Sequence, residues 1–396
     1  MEPGLFRFSD YDCIGFDLDN TLARYKIRPL VDMEYELIVQ FLVKKGYSGK
    51  HLTKPINYDF LLRGLILDLN KGNILKLSED GKIISACHGT RLMTKDELEK
   101  YYPNSHWEPT DVFTKDPLQT WNGPYSEKMR SILDYYDTVV SLIFARLVDT
   151  LDEDNKGPLP NYTIYSDIYD CFVEMFSSDN FQSDKSTFYA EIKSNPEKYY
   201  YKCSKKLLSW LKSLRKQGKL LYLLTNSHVD FASFTASCCI GSNWQEYFDI
   251  VITHAKKPGF FITNRDFQGL KETVPISGEQ LKLHGVYSNG NWTVLREFFI
   301  KQQPNVNQRF LFVGDNLIED IHTHNVYTTF DTVAICEELA EANHPDKSIL
   351  HSNFWGSYFQ DTEFDTIWYK IMKNHAKMWF PNMEFIANQS CEIERI

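Results

Sequence analysis

The chain has 396 residues, 43% of them hydrophobic, and a formal net charge of −10. That apolar content excludes disorder and supplies a sizeable core, for two or three domains or for one large domain with an insertion. The acidic balance argues against a non-specific nucleic-acid binder. It does not argue against an anionic small molecule held in a locally positive cleft.

The 8 cysteines form no CxxC pair, so neither a zinc site nor a thioredoxin-type centre is expected, and a reducing compartment fits best. Met1 to Tyr11 is polar and aromatic, unlike a signal peptide, and no uncharged apolar run is long enough to span a bilayer. A cytoplasmic protein without a membrane partner is the expectation. The sequons at Asn161, Asn291 and Asn388 read as chance matches.

In chain order, Cys13-Ile14-Gly15-Phe16 is a short buried strand that ends abruptly in acids. A long aromatic-rich stretch follows, from Leu22 to Tyr201. It shows helical periodicity over 33–45 and 136–151, and a hairpin of 74–77 and 82–84 around Asp80-Gly81. Ser204 can cap a helix with Leu207, Leu208, Leu211 and Leu214 on one face, and Gly218 can end it. A strand over 220–224, a helix containing Ala232 and Phe234, and a strand over 250–252 come next. Residues 264–290 read as a loop-rich excursion. A helix over 292–301 and strands over 310–313 and 332–335 complete the alternation, which implies a parallel sheet with helices on both faces. The tail carries an aromatic patch over 354–359 and a helix over 366–378.

In such a sheet, ligands bind beyond the carboxyl ends of the strands. There stand Asp17-Leu18-Asp19-Asn20-Thr21, Thr225-Asn226-Ser227, Lys256-Lys257-Pro258 and Gly314-Asp315-Asn316-Leu317-Ile318-Glu319-Asp320. A carboxylate can attack phosphorus and carry the phosphoryl group, and a hard divalent cation with oxygen ligands offsets its repulsion from a phosphate dianion. Asp17 can serve both purposes. Asp315 offers a second metal carboxylate, and Asp320 or Glu319 can complete or orient the shell. Thr225 and Asn226 offer donors to phosphate oxygens, and a lysine supplies fixed positive charge. Asp19 can protonate the leaving alkoxide and then activate water. Each piece alone has a bland reading as a turn, a helix start or solvated surface. In order, each at the end of an apolar run, they point together to phosphoryl transfer.

These four elements resemble the four motifs of the haloacid dehalogenase superfamily. More narrowly, the run from Ile14 to Leu22 with Tyr25-Lys26 resembles the cytosolic purine 5′-nucleotidase group. So do Gly72-Asn73-Ile74-Leu75-Lys76-Leu77 with His88-Gly89, and Lys257-Pro258-Gly259-Phe260-Phe261; one subgroup also shares Trp355-Gly356-Ser357. The resemblance implies a Rossmann-like α/β core, residues 1–21 and 204–340. A large, mostly helical cap is inserted at 22–203, and a C-terminal segment, 341–396, packs on the core. It also implies Asp17 as nucleophile and Asp19 as general acid/base, with a backbone carbonyl on the metal. Thr225 and Lys257 then bind phosphate, Asp315 and Asp320 complete a Mg²⁺ site, and Glu319 is the fallback acid.

The implied activity is hydrolysis of phosphate monoesters, most plausibly nucleoside 5′-monophosphates, with no nucleic-acid polymer as partner. Homo-oligomerisation is left open. The alternatives are a nucleoside phosphotransferase and a nucleotide-binding regulatory protein with little turnover. Purine selectivity does not carry over: Ser166 to Phe172 lacks the arginine and the Trp-Val-His run that grip the base in purine-specific members. His88 is read as a structural histidine holding a turn rather than a ligand.

Overall fold

The four apolar runs that precede the polar motifs lie side by side in one sheet of this computed structural model, which describes residues 6–389 apart from 184–186, 270–274, 305–306, 329, 341–343 and 362. They are β1 (Cys13–Phe16), β2 (Leu220–Leu224), β3 (Ile250–Thr253) and, further along, Phe310–Gly314. Between β3 and that strand come β4 (Phe267–Gly269), β5 (Pro275–Ile276) and β6 (Gly285–Asn289), so Phe310–Gly314 is β7; β8 (Asp331–Ile335) and β9 (Met378–Phe380) follow. The spatial order is β5-β4-β6-β3-β2-β1-β7-β8-β9. All neighbours pair in parallel except the β6–β4 and β4–β5 edge.

Strands covered on both faces read as continuous apolar runs, and β1, β3 and β7 are buried throughout. Phe16 meets Trp210 of helix Lys205–Lys216 edge to face at 6.2 Å. On the opposite face Tyr222 and Phe312 pack with Leu295, Phe298 and Phe299 of helix Trp292–Gln302. Ser204 does cap its helix, its hydroxyl accepting from the Leu207 N–H.

Two expectations are refined here. The loop-rich stretch 264–290 also carries β4, β5 and β6, which extend the sheet, while 270–274 lie outside the described residues. The run Gly285-Val286-Tyr287-Ser288-Asn289 is only partly buried and mixes polar with apolar residues, so it lacks the signature of a buried strand. The helix read over 366–378 stops at His375, and Met378–Phe380 is the strand β9.

The chain divides into two compact units, Met1–Tyr25, Pro196–Ala340 and Ile371–Ile396 in one, Lys26–Asn195 and Glu341–Lys370 in the other. The expected C-terminal segment is therefore split, with 341–370 grouped with the insert. Trp355 explains why. Its indole N–H donates to the Phe60 carbonyl at 3.0 Å, its own carbonyl accepts from the buried Lys76 ammonium, and its ring lies in the insert's apolar cluster.

The insert pairs its helices, Ile27–Lys45 and Thr138–Asn155 among them, with a five-stranded antiparallel sheet. The expected hairpin is Asn73–Leu77 with Ile83–His88. His88 closes it from inside, one ring nitrogen 2.7 Å from Asn73 Oδ1 and the other 2.8 Å from Asp152 Oδ2.

Candidate active site

Phe16 is in register with Leu223 of β2 and Val313 of β7, so the central strands end together. The Asp17 N–H still donates to the Val313 carbonyl at 2.9 Å, and the Thr225 N–H to the Ile252 carbonyl at 3.0 Å. Each side chain thus leaves the sheet from a backbone anchored in the ladder. Two glycines allow the close packing. A Cβ on Gly15 would lie 2.2 Å from the Tyr222 ring, and one on Gly314 would lie 2.4 Å from a carboxylate oxygen of Asp320. Gly314 therefore lets Asp320 fold back over the end of β7.

Asp17, Asp315 and Asp320 are all buried, with carboxylate oxygens within 4.8 Å of one another, the one such group among the described residues. The Lys257 ammonium donates to Asp17 Oδ1 at 2.8 Å and to Asp320 Oδ1 at 2.7 Å. Asp320 Oδ2 also accepts from the Asn316 N–H at 3.2 Å. Asp320 is placed by a π-helical turn, Leu317–His322, whose first N–H groups, of Ile318 and Glu319, are capped by Asn316 Oδ1. Such widened turns are frequent at functional sites.

Three clustered carboxylates, two of them bridged by one ammonium, repel one another in a low-dielectric site. Burial pushes the Asp17 carboxyl up to about 8; Lys257 opposes the shift, while Asp320 and Asp19 add to it. Burial also works against the Lys257 charge, but Asp17, Asp320 and Glu319 outweigh it and hold the ammonium above its usual range. An all-oxygen donor set of three clustered carboxylates suits a hard divalent cation.

Asp19 stands beside this group with both oxygens occupied. Oδ1 accepts from the Tyr25 hydroxyl at 2.6 Å, and Oδ2 from the Ser227 hydroxyl at 2.7 Å and, more weakly, from Thr225 Oγ1 at 3.4 Å. The Thr225 hydroxyl oxygen also accepts from the Ser227 N–H at 3.1 Å. Asn226, expected to offer donors to phosphate, also holds two neighbouring groups. Its Oδ1 accepts from the Lys257 N–H at 2.6 Å, and its Nδ2 donates to Glu319 Oε2 at 2.8 Å. The side chain thus latches the loop that carries Lys257. Glu319 lies on that latch, outside the carboxylate group that Asp320 joins.

All the predicted residues converge on these strand ends. Sequence reasoning gave no role to Ser227 or Tyr25. Ser227 follows Thr225 by two positions at a strand end, which is a usable signal. Nothing in the sequence pairs Tyr25 with Asp19: the contact depends on the turn at Asn20, a non-glycine residue with φ of +55°.

Residues 6–351 match the 5′ nucleotidase family. A protein from Homo sapiens named 5′-nucleotidase domain-containing protein 1 is 31% identical over 424 residues, covering 96% of this chain and 91% of its own. One of the same name from Bos taurus is 32% identical over 386 residues, covering 90% and 83%. Both bear the name of the subgroup to which Trp355-Gly356-Ser357 pointed. A solved archaeal beta-phosphoglucomutase from Pyrococcus sp. strain ST 04 aligns over 81% of this chain and 85% of that one, at 11% identity and a TM-score of 0.28, a likeness that carries no argument.

Proposed function

This chain belongs to the 5′-nucleotidase family, and on that premise we propose that it hydrolyses phosphate monoesters, nucleoside 5′-monophosphates foremost, through a phosphorylated Asp17. The observation that carries the reading is the buried group of Asp17, Asp315 and Asp320 with Lys257 bridging two of them, next to Asp19. The side chains of Asp17 and Asp315, with the Asp19 carbonyl, would hold Mg²⁺ and Asp320 would orient that shell; the ion supplies the positive charge that lets a carboxylate approach a phosphate dianion.

The remaining steps belong to the chain's own groups. Lys257 and Thr225 orient the phosphate oxygens. Asp17 attacks phosphorus; the new Asp17–phosphorus bond forms as the bond to the leaving oxygen breaks, and Asp19 gives that oxygen its proton. Water then attacks phosphorus and yields a proton to Asp19. The Asp17–phosphorus bond breaks, releasing inorganic phosphate and restoring both acids.

The test is a phosphate-release screen over nucleoside 5′- and 3′-monophosphates and sugar phosphates, with Mg²⁺ and with EDTA. Release from a 5′-monophosphate that EDTA abolishes and Mg²⁺ restores supports the reading. Release indifferent to EDTA overturns the metal, and no release from any monoester overturns the hydrolase.

A further inference from the structure

Tyr25 is 3% exposed, and its ring packs on Tyr200 at 4.8 Å between centroids. Tyr25 and Tyr200 also pair as an antiparallel bridge, and the Tyr201 N–H donates to the Arg24 carbonyl at 2.9 Å. Tyr200 is pinned in turn, its hydroxyl 3.1 Å from Thr235 Oγ1. The Tyr25 hydroxyl therefore cannot swing away, and it is this fixed group that donates to Asp19 Oδ1 at 2.6 Å. The partner on the other oxygen differs in kind. Ser227, which donates to Oδ2 at 2.7 Å, carries its hydroxyl on a single carbon rather than on a packed ring, so its oxygen is held less rigidly, although both hydroxyls can donate or accept.

From this asymmetry we infer that Tyr25 is a positioning residue for Asp19. Its hydroxyl fixes the rotation of the Asp19 carboxyl so that Oδ2, on the side of Thr225 and Ser227, is the oxygen that serves the leaving group. The inference rests on the reading of Asp19 as general acid/base and adds what aims it. Tyr25 touches no reacting atom; it acts through Asp19. Ser227 is the adjustable half of the same clamp, able to accept when Asp19 holds a proton and to donate when it does not.

A residue that aims a general acid matters in proportion to how badly the leaving oxygen needs a proton. An alkoxide needs one; a p-nitrophenolate departs without it. The experiment compares kcat and KM of wild type, Tyr25→Phe, Ser227→Ala and Asp19→Asn on adenosine 5′-monophosphate and on p-nitrophenyl phosphate. Asp19→Asn is expected to lose about two to four orders of magnitude in kcat on the nucleotide and far less on the aryl ester. Tyr25→Phe, which keeps the ring pair, is expected to lose roughly 10-fold in kcat on the nucleotide and less than about twofold on the aryl ester, with KM unchanged, the scale of one lost hydrogen bond to a charged group. Ser227→Ala, which leaves the aromatic pair untouched, is expected to follow the same pattern. Equal losses of Tyr25→Phe on both esters, or none on either, overturn the role of Tyr25 while Asp19→Asn keeps its leaving-group dependence. An Asp19→Asn protein without that dependence overturns the acid/base reading itself.

Discussion

In the insert, His88 sits between Asn73 and Asp152, Tyr162 also donates to Asp152, and Asn73 donates to the Tyr102 hydroxyl, which donates to Asp68 at 2.8 Å. Every charged or polar group in that chain ends on a partner supplied by the insert itself. In the core, three buried carboxylates lie within 4.8 Å of one another, and one ammonium bridges two of them. Buried acids dispersed onto hydroxyl, imidazole and amide partners hold a structure, whereas three acids clustered within reach of one ion suit a divalent cation. The difference separates a network that holds a hairpin from a centre built for a ligand.

The comparison breaks most visibly at Asp17. Asp17→Asn is expected to lower phosphate release by at least about 10⁴-fold, since an amide cannot form the acyl phosphate, while the circular dichroism spectrum stays native. Comparable release from a folded variant would remove Asp17 from the chemistry.

The two other acids of the group divide in a measurable way. Asp320→Ala should cost about 10- to 100-fold in Mg²⁺ affinity or activity and be partly rescued by excess Mg²⁺, as for a group that orients its neighbours. Asp315→Ala should be more damaging and resist rescue. Activity against Mg²⁺ concentration decides, and wild-type-like curves for both would take the metal away from this loop.

The burial of Asp17 also sets a pH dependence in the metal-free protein. The Asp17 carboxyl goes from its ordinary 3.8 to about 8 on folding, so its contribution to stability is fully present below the lower value and is lost as pH rises through the upper one. In EDTA the melting temperature should fall between those limits, and Mg²⁺ should raise it most at the alkaline end. A melting temperature with the same pH slope in wild type and Asp17→Asn would contradict this.

The smallest effect concerns the insert's own exception. Glu34 is fully buried, neither oxygen has a hydrogen-bond partner among the described residues, and burial, with Asp134 and Asp137 adding to it, holds the carboxyl well above its usual range. Glu34→Met should raise stability by about 1–3 kcal/mol in denaturant unfolding. A loss of activity at unchanged stability would instead give Glu34 a functional part and blur the contrast between the two units.

Much of the site is legible in the sequence for a physical reason. A strand buried on both faces must be apolar throughout, so the polar residue that ends it stands out, as Asp17, Thr225 and Asp315 do. The strand Gly285–Asn289 is hidden because it is partly buried and carries no such run. The grouping of Trp355 with the insert is hidden because its contacts with Phe60 and Lys76 join residues 295 and 279 positions apart. The latch made by Asn226 is hidden for another reason: the loop geometry turns its amide onto the Lys257 backbone, and no residue type announces that.

The central claim, that Asp17 carries the phosphoryl group, is tested most directly by acid quench. Wild type and Asp19→Asn are mixed with Mg²⁺ and substrate, stopped in acid within the first turnovers, and digested for mass spectrometry. A phosphoryl adduct is predicted on the peptide that contains Asp17, accumulating further in Asp19→Asn because water is activated more slowly, and absent from Asp17→Asn. Turnover with the phosphoryl group on another side chain, or with no adduct in either protein, would contradict it.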